Sequence, residues 1–274
     1  MINLTTENLK CEMAAEHVAL FTISRPRALN AMLMSFLKEA HELMEALEAD
    51  QSVRCVVLTG DGPKSFSAGG DLKEEMANAD SNHQGIIDYD RLGDELCLKI
   101  RRSRLPFIAA VNGYAFGAPL GLIAACDLSI ASDNALFGLP TPALGGIPGW
   151  GCTQTVTRCI GAQEVKRMLL ANERFDAQEA LRCGLVSQVV PQADLLPKAL
   201  DAARRIAGYA PSVMAIVKKT VNDGLEAPTV EAALALEHAN LGRCNLSPIF
   251  VEGIAAFLEK REPDFDGAAA KMNK

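Results

Sequence analysis

No apolar run in this sequence of 274 residues reaches the roughly 20 residues that a membrane-crossing helix needs. Positive charge is scarce too. The 27 lysines and arginines stand against 34 aspartates and glutamates, and the net charge of −7 argues against nucleic acid, whose binding depends on neutralising phosphates. An anionic cofactor would need a local basic patch. The eight cysteines (11, 55, 97, 126, 152, 159, 183 and 244) form no Cys-x-x-Cys pair and have no histidine at ligand spacing. They read as thiols in a reducing, cytoplasmic compartment, which excludes a disulfide framework and a metal site. The first twenty residues carry one lysine against three glutamates, unlike a signal or transit peptide. A dinucleotide fingerprint, a P-loop and a Gly-x-Ser-x-Gly elbow are all missing, as are internal repeats and low-complexity linkers.

What the chain does have is 49% hydrophobic residues, enough for a sizeable core in one large domain or a domain with an appendage. His17 to Ser24 alternates apolar residues with period two and stops before Pro26, as a strand does. Met32 to Asp50 has helical spacing, and Val53 to Thr59 is a compact β-branched run. Ile86 to Arg102 reads as a helix, Pro106 to Val111 as a buried strand, Leu120 to Ala125 as a short buried helix and Leu128 to Ala131 as a strand. Asp176 to Glu179 has capping-box spacing and opens a helix that ends at Gly184, before a strand from Leu185 to Val190. Strands and helices thus alternate, which gives an α/β core. After Pro191 only helices are expected: Ala193–Tyr209, Ser212–Asp223, Thr229–Leu241 and Pro248–Lys260. Their apolar, alanine-rich faces suit packing on the core or on another subunit.

Two glycine-rich turns carry the chemistry. Val111 to Pro119 places small residues at a strand-to-helix junction, where free backbone N–H groups can meet an anion and no bulky Cβ blocks the approach. Phe66-Ser67-Ala68-Gly69-Gly70-Asp71-Leu72 follows a strand and leads into a first helical turn at Lys73 to Met76. An N–H from Ala68 and another from the Gly117-Ala118 junction would make a two-donor oxyanion hole.

In order along the chain, Ser24 to Ala31, Phe66 to Leu72, Pro106 to Gly117, Cys126-Asp127, Phe137-Gly138, Leu144 to Gly149, Ala180 to Val190 and Glu252 to Arg261 resemble the crotonase (enoyl-CoA hydratase/isomerase) family. The resemblance implies a spiral of strand-strand-helix turns over an acyl-CoA-binding core, residues 1–191, and a C-terminal helical trimerisation region, residues 192–274. It further implies acyl-CoA thioester substrates, coenzyme A entering as part of the substrate with no permanently bound cofactor, and a homotrimer or dimer of trimers. Ala68 and Ala118 match the oxyanion-hole donors. Ala28 and Leu29 match backbone that holds the pantetheine arm, while Gly69, Gly70, Asp71 and Leu72 match the segment beside the adenine. Arg27 and Lys260 are either phosphate contacts or solvated surface side chains.

Two positions depart from that pattern. The glutamates that hydratases of the family use fall at Gly121 and Thr141, and neither glycine nor a threonine hydroxyl acts as a base near neutral pH. Gly149 stands where the dehalogenase branch has aspartate. An oxyanion hole alone can stabilise an enolate, so the chain reads as a hydratase- or isomerase-type enzyme of doubtful hydratase activity, as a decarboxylase of malonyl-type thioesters, or as a CoA-thioester-binding protein without catalysis. Asp80 to Glu95 is expected to be a mobile segment able to bring in a base from Asp88, Tyr89, Asp90, Asp94 or Glu95, unless it is simply a solvated helix start. The lone Trp150 either shapes the acyl pocket or packs in the core. Of the four histidines, His17, His41, His83 and His238, only His83 lies in that acidic segment, and none matches a family residue.

Overall fold

A computed structural model describes residues 3–79 and 83–271. The chain begins with β1 (Asn3–Thr5) and β2 (Leu9–Ala15), and β2 turns through His17 into β3 (Val18–Ile23). In β2, Leu9 and Cys11 point inward while Lys10 and Glu12 point outward, the period-two pattern of a strand with one covered face. A bulge between Met13 and Ala15 and a positive φ of 62° at His17 turn it into β3. The sequence reading starts its first strand at His17 and so omits β1 and β2.

Helix α1 (Met34–Ala49) buries Phe36, Leu37, Ala40, Leu43, Met44 and Leu47, a stripe at helical spacing. Strand β4 (Cys55–Gly60) is buried throughout and is followed by β5 (Ser65–Ser67), α2 (Leu72–Ala79) and α3 (His83–Arg102). Next come β6 (Phe107–Val111), β7 (Tyr114–Phe116) and α4 (Pro119–Ala125). The following turn supplies β8 (Leu128–Ser132), β9 (Leu136–Gly138), α5 (Thr155–Ile160), α6 (Ala162–Leu170), β10 (Phe175–Asp176), α7 (Ala177–Cys183) and β11 (Gln188–Val190). Successive turns give one strand to each of two sheets. The larger has the order β1-β2-β3-β4-β6-β8-β11, parallel from β3 onward, and the smaller has the order β10-β9-β7-β5. The Asp176 carboxylate accepts the Glu179 N–H at 2.8 Å and caps α7, but the Glu179 side chain turns away to Arg167 and Arg182, so the capping box closes on one side only.

The strands of the large sheet divide their side chains by period two. Val56 and Leu58 face the cluster that holds α1, while Cys55 and Val57 face α8 (Leu195–Ala207). Leu195, Ala199, Ala203 and Ala207 recur every four residues and bring α8 close against Val18, Val57, Ile108, Ala110 and Ile130. This first helix after Pro191 is therefore a layer of the core, and the helical tail starts at α9 (Pro211–Glu226). It continues through α10 (Val230–Asn245), α11 (Pro248–Glu259) and α12 (Phe265–Ala270). Helix α10 buries no residue, and Phe257 and Leu258 of α11 are 83% and 73% exposed. Val213, Val217, Leu241, Ile254, Phe257 and Phe265 line an apolar groove of about 730 Å³ between these helices. Among the described residues no single helix is long and apolar enough to cross a membrane.

Residues 83–95 form the first three turns of α3, with Tyr89 buried. The acidic residues from Asp88 to Glu95 therefore ride on a packed helix and not on a mobile segment. Residues 80–82 lie outside the described residues.

Candidate active site

Three backbone segments converge at the ends of β3, β5 and β7. The first is a tight turn at Pro26–Ala28 followed by Leu29 and Asn30, both in the left-handed region with φ of 52° and 57°. Fully buried Asn30 locks it there: its amide donates to the Asp61 carbonyl at 3.0 Å and the Ser65 carbonyl at 2.7 Å, and its side-chain oxygen accepts the Arg25 N–H. The second segment follows β5. Ser67 Oγ donates to the Asn30 carbonyl at 2.7 Å, the Met32 N–H donates to the Gly69 carbonyl, and the Asp71 N–H donates to the Met32 carbonyl. Arg27–Leu29 and Ala68–Leu72 are thereby brought together.

Asp71 fixes the corner. Burial pushes its carboxyl up, but the Arg25 guanidinium at 3.0 Å and the N–H groups of Glu74 and Lys73 outweigh burial and hold it below the ordinary carboxylate range. Arg27 is exposed and has no ion pair among the described residues. Lys260 ends α11 in the left-handed conformation, φ 53°, likewise unpaired among the described residues.

The third segment is the β7–α4 junction. Gly69, with φ of 97°, lies so close to it that a Cβ would sit 2.6 Å from the Phe116 carbonyl and 3.9 Å from the Ala118 nitrogen; only glycine fits. The Ala118 N–H donates to no acceptor among the described residues, and Pro119 after it has no N–H to give. The Ala68 N–H, by contrast, donates to the Leu29 carbonyl at 3.0 Å. The crossing thus presents one free donor, Ala118, and a second already engaged.

A family model for enoyl-CoA hydratase/isomerase matches residues 13–268. The chain belongs to this family. It is 38% identical over 247 residues to a short-chain-enoyl-CoA hydratase of Clostridium acetobutylicum, across 89% of this chain and 92% of that protein. It is 36% identical over 252 residues to a 2,3-dehydroadipyl-CoA hydratase of Escherichia coli, covering 92% and 96%. A crystal structure of an enoyl-CoA hydratase from Bacillus anthracis superposes with a TM-score of 0.89 at 32% identity, over 93% of this chain and 98% of that one. Crotonase-type architecture accounts for the two-sheet spiral and the C-terminal helices.

Behind the Ala118 donor, α4 packs on the segment that carries Trp150. Gly121 is buried in α4, and a Cβ there would overlap the backbone carbonyl oxygen of Trp150. Trp150 is 1% exposed, has a φ of 56°, stacks on Tyr89 with ring centroids 5.4 Å apart, and fills the space that a side chain at Gly93 would need. It is core packing, and its Nε1 has no acceptor among the described residues. Thr141 is half-buried at the start of a short turn, Thr141–Leu144, and its hydroxyl has no partner among the described residues. Gly149 is covered by the Asp90 carboxylate, whose Oδ1 would lie 2.8 Å from a Cβ.

The acidic candidates separate by contact. Asp88 and Glu95 pair with Arg91, and the Tyr89 hydroxyl donates to the Met32 carbonyl at 3.0 Å, so all three are structurally engaged. Asp94 and His83 are exposed. Asp90 remains: burial, then the nearby Asp94 charge, push its carboxyl up. Glu75, which the sequence reading leaves as an ordinary first-turn residue of a helix, joins it. Its carboxylate covers Gly70, and burial followed by Asp90, Asp71 and Glu74 pushes it up. The sequence signal for Glu75 was its place, five residues after a glycine that cannot carry a side chain.

Proposed function

We propose that the protein is an acyl-CoA thioester enzyme that stabilises an enolate through backbone donors at the Gly69–Ala118 crossing, with Ala118 as the principal donor and Ala68 recruited from Leu29. The free Ala118 N–H beside a glycine that only a close approach explains is the observation that supports this reading. Coenzyme A enters as part of the substrate, its pantetheine arm along Ala28 and Leu29, its adenine end by Gly70 to Leu72, and its phosphates toward Arg27. The names of relatives, short-chain-enoyl-CoA and 2,3-dehydroadipyl-CoA hydratases, favour a short or dicarboxylic acyl group. Thr141 borders this site without acting as a base. The lack of a carboxylate at Gly121 and Thr141 also favours a second reading, decarboxylation of a malonyl-type thioester, in which loss of carbon dioxide creates the enolate with no side-chain base. Calorimetry with butyryl-CoA is expected to register binding, and Arg27→Ala to weaken it by about 0.5 to 2 kcal/mol. A flat titration at millimolar ligand would reject the site assignment.

The exposed apolar faces of α10 and α11 favour a homotrimer, or a dimer of trimers, built through the C-terminal helices, with Lys260 offered toward a neighbouring site. Light scattering should give a multiple of three chains; a monomer at micromolar concentration would remove both claims. The eight unbridged thiols favour a cytoplasmic setting.

A further inference from the structure

Two half-buried carboxylates lie near one another, Glu75 over Gly70 beside the Gly69–Ala118 crossing and Asp90 next to it in space, and neither has a cation or a hydrogen-bond donor among the described residues. Such groups are costly to keep, and they collect where a protein does chemistry. Each sits on a glycine: Glu75 on Gly70 and Asp90 on Gly149. Any side chain at those two positions would collide with the carboxylate, so the backbone leaves room for both.

The two are not equivalent. Gly149 precedes Trp150, and the Trp150 carbonyl abuts Gly121, three residues along α4 from the Ala118 donor. Glu75 lies on the other flank, at Gly70. Asp90 thus lies against the segment whose next residue, Trp150, closes its carbonyl onto Gly121 of α4. We propose that Asp90 is the acid/base group of this site, moving the α-proton of the bound acyl thioester in place of a carboxylate on α4. This rests on the enolate reading above. The Cα–H bond breaks, its electron pair passes into the enolate whose oxygen meets the Ala118 N–H, and the proton forms an O–H bond on Asp90. Returning the proton to Cα, or to Cγ of a β,γ-unsaturated chain, regenerates the carboxylate and yields the exchanged or isomerised thioester. The groups around Asp90 are Asp94 and Tyr89 on α3, Glu75 on α2, and Cys152 on the segment after Trp150. All are acidic or neutral, so the carboxylate is protonated at a higher pH than usual and exchange should rise with pH through an inflection above the ordinary aspartate range.

The test is exchange of the Cα protons of but-3-enoyl-CoA in D2O, followed by proton NMR, for the unmodified protein and for Asp90→Asn, Asp90→Glu and Glu75→Gln. Asp90→Asn should slow exchange at least about 100-fold while calorimetric affinity for the thioester, which also reports an intact fold, changes less than about threefold. Asp90→Glu should restore part of the rate with a displaced pH inflection, and Glu75→Gln should lose less than Asp90→Asn. Exchange at the unmodified rate in Asp90→Asn, or a larger loss in Glu75→Gln, overturns the assignment. An unmodified protein that binds but-3-enoyl-CoA and exchanges no proton also overturns the assignment, while leaving enolate formation by decarboxylation standing; failure to bind the thioester at all overturns the enolate reading itself.

Discussion

Crotonyl-CoA hydration by this protein should run at least about 100-fold slower than by an enzyme with two positioned carboxylates, and Gly121→Glu should not recover the loss. Hydration needs a base on the water and an acid at the α-carbon. Restoring glutamates at both positions suggests itself from the sequence, but the structure revises that expectation for one of them. A Cβ at residue 121 would overlap a backbone oxygen, and backbone yields less readily than the end of a flexible side chain. Trp150 cannot simply swing aside, because its ring is packed between Tyr89 and Gly93. Gly121→Glu should therefore cost about 1 to 3 kcal/mol of stability or more, visible as a lowered melting temperature. Thr141→Glu, at a half-buried position with an unpartnered hydroxyl, should fold normally and gain little activity. The enoyl absorbance of crotonyl-CoA reports all three rates. Ordinary hydration by the unmodified protein would mean that Asp90 and Glu75 together act as the acid and base.

The second large effect concerns the joint between tail and core. Lys218 of α9 is 8% exposed, and its ammonium donates to the Ile100 and Leu105 carbonyls and to Asp127 Oδ2, each at 2.8 Å, while lying 5.4 Å from the centre of the Phe107 ring. Asp127 also accepts the Phe107 N–H at 2.7 Å. One cation thus satisfies the end of α3, the entry to β6 and the Asp127 carboxylate, whose side chain is 23% exposed. Lys218→Met removes it and leaves Asp127 without its counter-charge, so about 3 to 5 kcal/mol of stability should be lost. Asp127→Asn should cost less, since an amide oxygen can still accept from Phe107. Urea unfolding measures both, and a loss below about 1 kcal/mol for Lys218→Met would show that the joint is held by its other contacts, among them Asn222 on the Arg101 carbonyl and the Arg101–Glu226 pair.

These two sites mark where the sequence was readable. Helix α1, strand β4 and the Asp176 cap follow from local pattern, because each is settled by residues within a turn or two of itself. Family likeness singled out the Arg27–Leu29 and Ala68–Leu72 segments one by one, and their hydrogen-bonded meeting is seen only in the structure. The contact between Trp150 and Gly121 joins residues almost thirty apart through a backbone carbonyl, and no periodicity signals that. The placement of α8 depended on which face of β4 each side chain takes, and Pro191 made the helix look like part of the tail. The engagement of Ala68 by Leu29 was likewise invisible, because it depends on the left-handed turn at Leu29 and Asn30.

The most direct measurement is a crystal structure with but-3-enoyl-CoA bound. The account predicts the thioester oxygen about 3 Å from the Ala118 nitrogen, the Leu29 carbonyl withdrawn from the Ala68 N–H, and the α-carbon facing Asp90. A thioester oxygen bound away from Ala118, with the Ala68–Leu29 hydrogen bond intact, would contradict it.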